Sequence, residues 1–197
     1  MDKKEISYET INYSDITNVK FYTSTDNGSY IPSHWHRAVE ILYMQEGELD
    51  VTVESSSFTI YPGDCILINA NVIHSTKCII PNRAIVLQIP LDFIEKYIPD
   101  VQQFMFIWDY QTKDPVKKTK LDMLKTTLEQ LQIIDDIRPD GFILRFNSLI
   151  FELLFQLYHN FNVKVFQSDL SRQKKDLDRL NLVLNYISEN YKRPISL

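Results

Sequence analysis

Three histidines and one carboxylate carry most of the chemistry available to this chain. His34 and His36 stand two apart, Glu40 follows four residues later, and His74 comes from a separate stretch. Imidazole nitrogen and carboxylate oxygen are donors for first-row divalent metals, so three nitrogens and one oxygen suit Zn, Fe, Mn, Ni or Cu. In an extended strand alternate side chains share a face. Even-numbered His34, His36 and Glu40 would then point the same way, with the two imidazoles roughly 6.6 to 6.8 Å apart along the strand. Two other uses of these residues stay open: a hydrogen-bonded polar cluster inside the fold, or the lining of a small-molecule pocket without metal. Ser33 beside His34 has no third group to complete a nucleophilic triad. The glycines form no phosphate-cradling loop, so no catalytic residue is assigned.

The elements that must position these residues are short strands. Residues 18–24 pattern as a strand, and residues 38–44 are apolar except for Glu40, as suits a strand covered on both faces. Leu49, Val51 and Val53 alternate with polar residues, the mark of a half-buried strand. Turn chemistry follows at residues 55–57 and at Pro62-Gly63-Asp64, and further strands are expected at 65–68, 72–76 and 84–89. Many short strands at this spacing predict a closed sandwich or barrel.

After Pro90 the pattern changes from strand to helix. Asp114-Pro115 reads as an N-cap with proline at the first helical position, and Leu121, Leu124, Leu128 and Leu131 then repeat at 3-4-3 spacing. A second helix, starting near Pro139, has a wide stripe that includes Phe142, Phe146, Leu149, Leu153 and Leu157. Two striped helices joined by a short link predict an antiparallel hairpin packed on the barrel. The apolar area of both stripes exceeds what one barrel covers, which predicts a two-fold homodimer with Leu121, Leu124, Leu128 and Leu131 at its interface. Packing within one subunit is the alternative for that seam.

With 197 residues, 44% hydrophobic and 24% charged, the chain has ordinary globular composition, enough for one core with a helical appendage. Its first residues have no apolar stretch behind them, and no run approaches a bilayer span, so a cytoplasmic protein without membrane contact is expected. Cys65 and Cys78 are read as reduced thiols. A net charge of −5 argues against binding nucleic acid over a large surface. The charge is uneven, about +3 over residues 162–197 and −8 over the rest, so the basic end is the C-terminal one.

The string from Gly28 through His34, His36 and Glu40 to Gly47 resembles the first motif of the cupin superfamily at every position. His74, eleven residues after Gly63, stands where the second motif places its histidine. That second motif departs from the pattern elsewhere: Asn69 and Asn71 replace proline and glycine, and Cys78 replaces asparagine, which weakens a catalytic inference. The run from His34 to Met44, with Pro62-Gly63-Asp64 and Ile73-His74, looks most like the N-terminal effector domain of AraC-type transcription regulators, over about half the chain. Residues 180–197 resemble the opening helix of the DNA-binding domain in that family.

The resemblance implies a mainly β fold, a cupin-type double-stranded β-barrel or jelly roll, followed by a helical hairpin. It divides the chain into an N-terminal arm (1–17), the cupin barrel (18–90), a helical dimerisation region (91–166), a linker (167–176) and a truncated start of the DNA-binding domain (177–197). It further implies a small-molecule effector, a sugar or other metabolite, bound at His34, His36, Glu40 and His74, with Tyr22, Tyr43, Phe58 and Tyr61 as candidate lining. DNA would be contacted only through a C-terminal domain beyond this chain, and the arm takes part in the response in some relatives. The rival readings are a metal-dependent cupin enzyme, a dioxygenase or isomerase, and a binding protein without DNA output.

Overall fold

Two facing β-sheets and a helical hairpin make up the computed structural model, which describes residues 6–164. The strands are β1 (Ser7–Tyr8), β2 (Lys20–Asp26), β3 (Tyr30–Trp35), β4 (Ala38–Glu46), β5 (Leu49–Val53), β6 (Ser56–Ile60), β7 (Cys65–Ile68), β8 (His74–Lys77) and β9 (Asn82–Pro90). They form a five-stranded sheet, β1-β3-β8-β5-β6, and a four-stranded sheet, β2-β9-β4-β7. This is the mainly β jelly-roll architecture expected, with separately hydrogen-bonded sheets in place of a fully closed barrel.

Alternation along β4 and β9 sorts their side chains between two cores. Leu42, Met44, Ala84 and Val86 point between the sheets and join Val51, Ile60, Ile66 and Ile68 in the barrel interior. Val39, Ile41, Ile85, Leu87 and Ile89 point the other way, into a core shared with the helices. The near-continuous apolar character of residues 38–44 thus has the cause inferred from it: both faces of β4 are covered. The outer face of the five-stranded sheet carries polar residues, among them Asp50 and Thr59, which share a 2.6 Å hydrogen bond.

Gly47, just after β4, adopts φ of 71°, and a Cβ there would sit 2.1 Å from the Pro81 carbonyl oxygen. Only glycine lets the two segments approach this closely.

Beyond β9 come α1 (Leu91–Glu95), a single 3-10 turn at Val101–Gln103, and β10 (Phe104–Phe106), which pairs antiparallel with β11 (Asn162–Lys164). Between them lies the hairpin of α2 (Pro115–Ile137) and α3 (Phe142–Asn160). Asp114 caps α2 as its sequence suggests, its side chain accepting from the amides of Val116 and Lys117, with Pro115 in the first turn. Arg138 ends α2 in the left-handed region, and Gly141 opens α3 with φ of 78°.

The dimer-interface assignment of the α2 leucines is corrected by this packing. Leu121, Leu124, Leu128 and Leu131 are all buried within one subunit, between α3 and the outer face of the four-stranded sheet. The physical reason is that β4 and β9 present a second apolar face that needs cover, and the 3-4-3 seam supplies it. The far side of α3 stays exposed, with Leu144 80% and Phe155 59% accessible and Phe151 and Tyr158 in the same row, while α2 exposes Val116, Met123, Ile133 and Ile137. Among the described residues no helix is long and apolar enough to cross a membrane. The linker at 167–176 and the DNA-domain start at 177–197 lie outside the described residues.

Candidate metal centre

His34, His36, Glu40 and His74 converge at one end of the space between the sheets, but not from one strand. His34 is near the end of β3, in the five-stranded sheet; His36 lies in the crossover after Trp35; Glu40 belongs to β4, in the four-stranded sheet. The expectation of a single regular strand is therefore corrected. The chain changes sheet at residues 36–37, so His34 points inward from one wall and Glu40 inward from the other, with His36 at the corner. Trp35 faces away from its neighbours and packs at 4.7 Å against the ring of Tyr8.

His74 begins β8 and is the register partner of His34. The ring centroids are 4.1 Å apart for His34 and His74, 5.0 Å for His36 and His74, and 5.9 Å for His34 and His36. One ligating nitrogen from each of the three histidines lies within 4.8 Å of the others, and all three residues are buried.

Hydrogen bonds fix which nitrogens are free. Nδ1 of His34 is 2.8 Å from the Pro32 carbonyl and Nδ1 of His74 is 2.9 Å from the Val72 carbonyl. A carbonyl only accepts, so both Nδ1 atoms carry hydrogen and, in the neutral ring, both Nε2 atoms offer a lone pair. This backbone anchoring is the usual way a metal-binding histidine is oriented.

Glu40 occupies the deep end. Its Oε2 accepts from Gln88 at 2.8 Å, lies 2.8 Å from Nε2 of His36 and 3.7 Å from Nε2 of His74. Burial alone would raise its pKa, but the His36 and His74 contacts and the Gln88 amide outweigh it and hold the carboxyl well below the usual range. An ionised Glu40 takes the Nε2 hydrogen of His36, which leaves His36 Nδ1 as the acceptor of that ring. His36 Nδ1 and His74 Nε2 are buried and without a hydrogen-bond partner among the described residues. Orphaned buried imidazole nitrogens are costly unless something binds them, and a divalent cation among the three histidines would satisfy them.

The aromatic residues separate into those near the site and those away from it. Tyr22 pairs with Val86 on β9, on the same face of β2 as Lys20, which is the register partner of Gln88. Its hydroxyl is pushed up to about 12, by burial first and then by the Glu40 and Glu9 carboxylates. Phe58 packs against the barrel interior core, 5.8 Å from Tyr110. Tyr43 is not pocket lining: it points out of the barrel and donates to Glu129 of α2 at 2.9 Å. Tyr61 is also misplaced by that expectation, exposed at the Pro62-Gly63 turn.

Two site residues escaped the sequence reading. Gln88 is the register partner of Glu40, and a lone amide in the apolar run 84–89 was a usable signal, because a buried polar group needs a partner. Glu9, whose Oε2 is 3.4 Å from Nε2 of His34, arrives from the N-terminal arm and had no such signal. Burial disfavours a charged His34, yet the Glu9 carboxylate and the Pro32 carbonyl prevail and raise its pKa.

Residues 21–89 match the family description Cupin_2, cupin domain. Among solved structures the chain is similar to an RmlC-like cupin from Shewanella frigidimarina NCIMB 400, at 25% identity and a TM-score of 0.36 over 39% of this chain and 72% of that one. It is also similar to a cupin superfamily protein from Desulfitobacterium hafniense DCB-2, at 14% identity and a TM-score of 0.37 over 42% and 74%. The DMSP lyase DddQ from Ruegeria pomeroyi DSS-3 shares 27% identity at a TM-score of 0.35, over 38% of this chain and 40% of that one. At these scores nothing about reaction or substrate carries across. No curated protein matches the chain. The matched segment contains His34, His36, Glu40 and His74, and with the two-sheet architecture it makes residues 21–89 a cupin domain.

Proposed function

We propose that this chain is the effector-sensing and dimerising part of a cytoplasmic AraC-type transcription regulator, with a small-molecule effector, a sugar or other metabolite, bound inside the cupin domain. The observation that carries the reading is the double use of β4. Glu40 faces the site while its neighbours Val39 and Ile41 pack into the core of α2 and α3. An occupant that draws on Glu40 therefore acts on the same strand that supports the helices. A ligand that prefers one arrangement of this wall shifts the population toward it, and helices that join two subunits convert the shift into a change of assembly geometry.

The exposed row Leu144, Phe151, Phe155 and Tyr158 on α3 supports a homodimer through that helix, in place of the α2 leucines. DNA contact belongs to segments outside the described residues. Reading the gene downstream of residue 197 tests the assignment: two helix-turn-helix units support it, and an unrelated or absent continuation defeats it.

A second reading, a metal-dependent cupin enzyme such as a dioxygenase or isomerase, is favoured by the metal-ready tautomers of His34 and His74. A divalent cation held by His34, His36, His74 and Glu40 would supply Lewis-acid or redox chemistry. The chain's own part would be to orient the imidazoles through Pro32 and Val72 and to hold the Glu40 carboxylate in place through Gln88.

A further inference from the structure

We propose that Glu9 is a carboxylate donor to the cation held by the three histidines, so that metal binding fastens the N-terminal arm across the solvent side of the site. The proposal rests on the metal reading of the histidine cluster and names a ligand that the cupin motifs do not contain.

The arm is seated by backbone and ring contacts independent of any metal. β1 runs parallel to the end of β3, with Ser7 opposite His34 and Tyr8 opposite Trp35. The Glu9 amide donates to the Trp35 carbonyl at 2.9 Å, and the Tyr8 ring packs on Trp35. These contacts leave the Glu9 side chain directed at the His34 imidazole. Glu9 Oε2 is 3.4 Å from His34 Nε2, while Glu9 Oε1 lies 3.7 Å from Lys20 Nζ.

The 3.4 Å separation is informative because of which atoms face each other. His34 Nδ1 is committed to the Pro32 carbonyl, so Nε2 of the neutral ring and the carboxylate oxygen both present lone pairs. Two lone pairs at that distance repel unless a positive charge lies between them: in the metal-free chain a proton on Nε2 serves, and a bound metal would take that proton's place. Donor atoms at about 2.1 Å from a tetrahedral zinc stand about 3.4 Å from each other, which is the spacing found. Glu40 meets His36 and His74 from the buried side and Glu9 meets His34 from the accessible side, so the two carboxylates bracket the histidine cluster.

The test uses the full chain, stripped of metal with chelator, and Zn²⁺ and Co²⁺ as probes. Affinity is measured by chelator competition, cobalt coordination by its visible spectrum, and arm docking by hydrogen exchange at the Glu9 amide. Wild type should bind one ion, with slower exchange at that amide when zinc is present. Glu9→Gln should bind zinc about 10- to 100-fold more weakly, alter the cobalt spectrum and lose the zinc-dependent protection. Lys20→Met removes the competing ammonium and should keep all three properties, and His36→Ala should abolish binding. Wild-type affinity, spectrum and protection in Glu9→Gln would overturn the proposal while leaving the histidine site standing. No ion bound by wild type would overturn both.

Discussion

Gln88 and Glu40 face each other across the β4–β9 register, and the amide of Gln88 donates to Glu40 Oε2 at 2.8 Å in the buried end of the site. Together with the larger effects of His36 and His74, this bond holds the buried carboxylate in its ionised form. Replacing Gln88 by Leu removes a donor to a charge that stays buried, a loss of about 1 to 3 kcal/mol. The urea midpoint of metal-free Gln88→Leu should fall accordingly, and an unchanged midpoint would mean Glu40 is satisfied without it.

Metal binding should depend on the histidines whose nitrogens are free. Elemental analysis of protein purified without a histidine tag should find a divalent metal in wild type and none in His36→Ala or His74→Ala. Metal absent from all three would leave a metal-free effector pocket as the use of this cluster.

The Glu9–His34 contact gives the metal-free protein a pH signature. The pKa of His34 is raised above its ordinary 6.5, so its contribution is complete below 6.5 and is lost as pH rises through the folded-state value. Glu9 is lowered from its ordinary 4.5, chiefly by the His34 contact, so its contribution is complete above 4.5 and is lost as pH falls through its folded-state value. The stability difference between wild type and Glu9→Gln should therefore be greatest from about pH 4.5 to 6.5 and shrink on either side. Urea titrations of both proteins across pH 4 to 9 check this, and a difference flat with pH would contradict it.

The two helices should respond oppositely to substitution. Leu124 and Leu128 are fully buried, so Leu124→Ala should cost about 2 to 5 kcal/mol, and Leu124→Glu should unfold the domain. Phe151→Ser with Phe155→Ser, on the exposed face of α3, should leave the fold intact and shift the sedimentation coefficient from dimer to monomer. A wild-type chain that sediments as a monomer at high micromolar concentration would remove the dimer from the functional reading.

Duplex DNA should bind this chain weakly and without sequence preference, because the net charge is −5 and phosphate contacts need a basic footprint. A salt-resistant, sequence-specific gel shift would contradict that expectation.

Much of this architecture was legible because local chemistry and burial agreed. The Asp114-Pro115 cap, the alternation of Leu49, Val51 and Val53, and the Pro62-Gly63-Asp64 turn each announce an element that forms close to where its residues place it. The histidines and Glu40 were legible as a group, but the route by which they meet was not. A change of sheet at residues 36–37 leaves the even-numbered spacing intact and therefore looks like one strand. The α2 leucines show a second limit: periodicity says that a face is apolar, and only the fold says what covers it. Glu9 marks a third, since a two-residue parallel pairing has no periodicity to read.

The close approach at Gly47 has a consequence for how this chain tolerates change. Any side chain there collides with the Pro81 backbone, and Asn82, whose amide reaches the Glu48 carbonyl at 3.0 Å, opens β9, the strand that carries Gln88. The corner between β4 and β5 thus works as a clasp holding the start of β9 in register. Gly47 lies far from Gln88 along both strands, so a methyl group added at that corner would disturb the alignment of Gln88 with Glu40 without touching either residue.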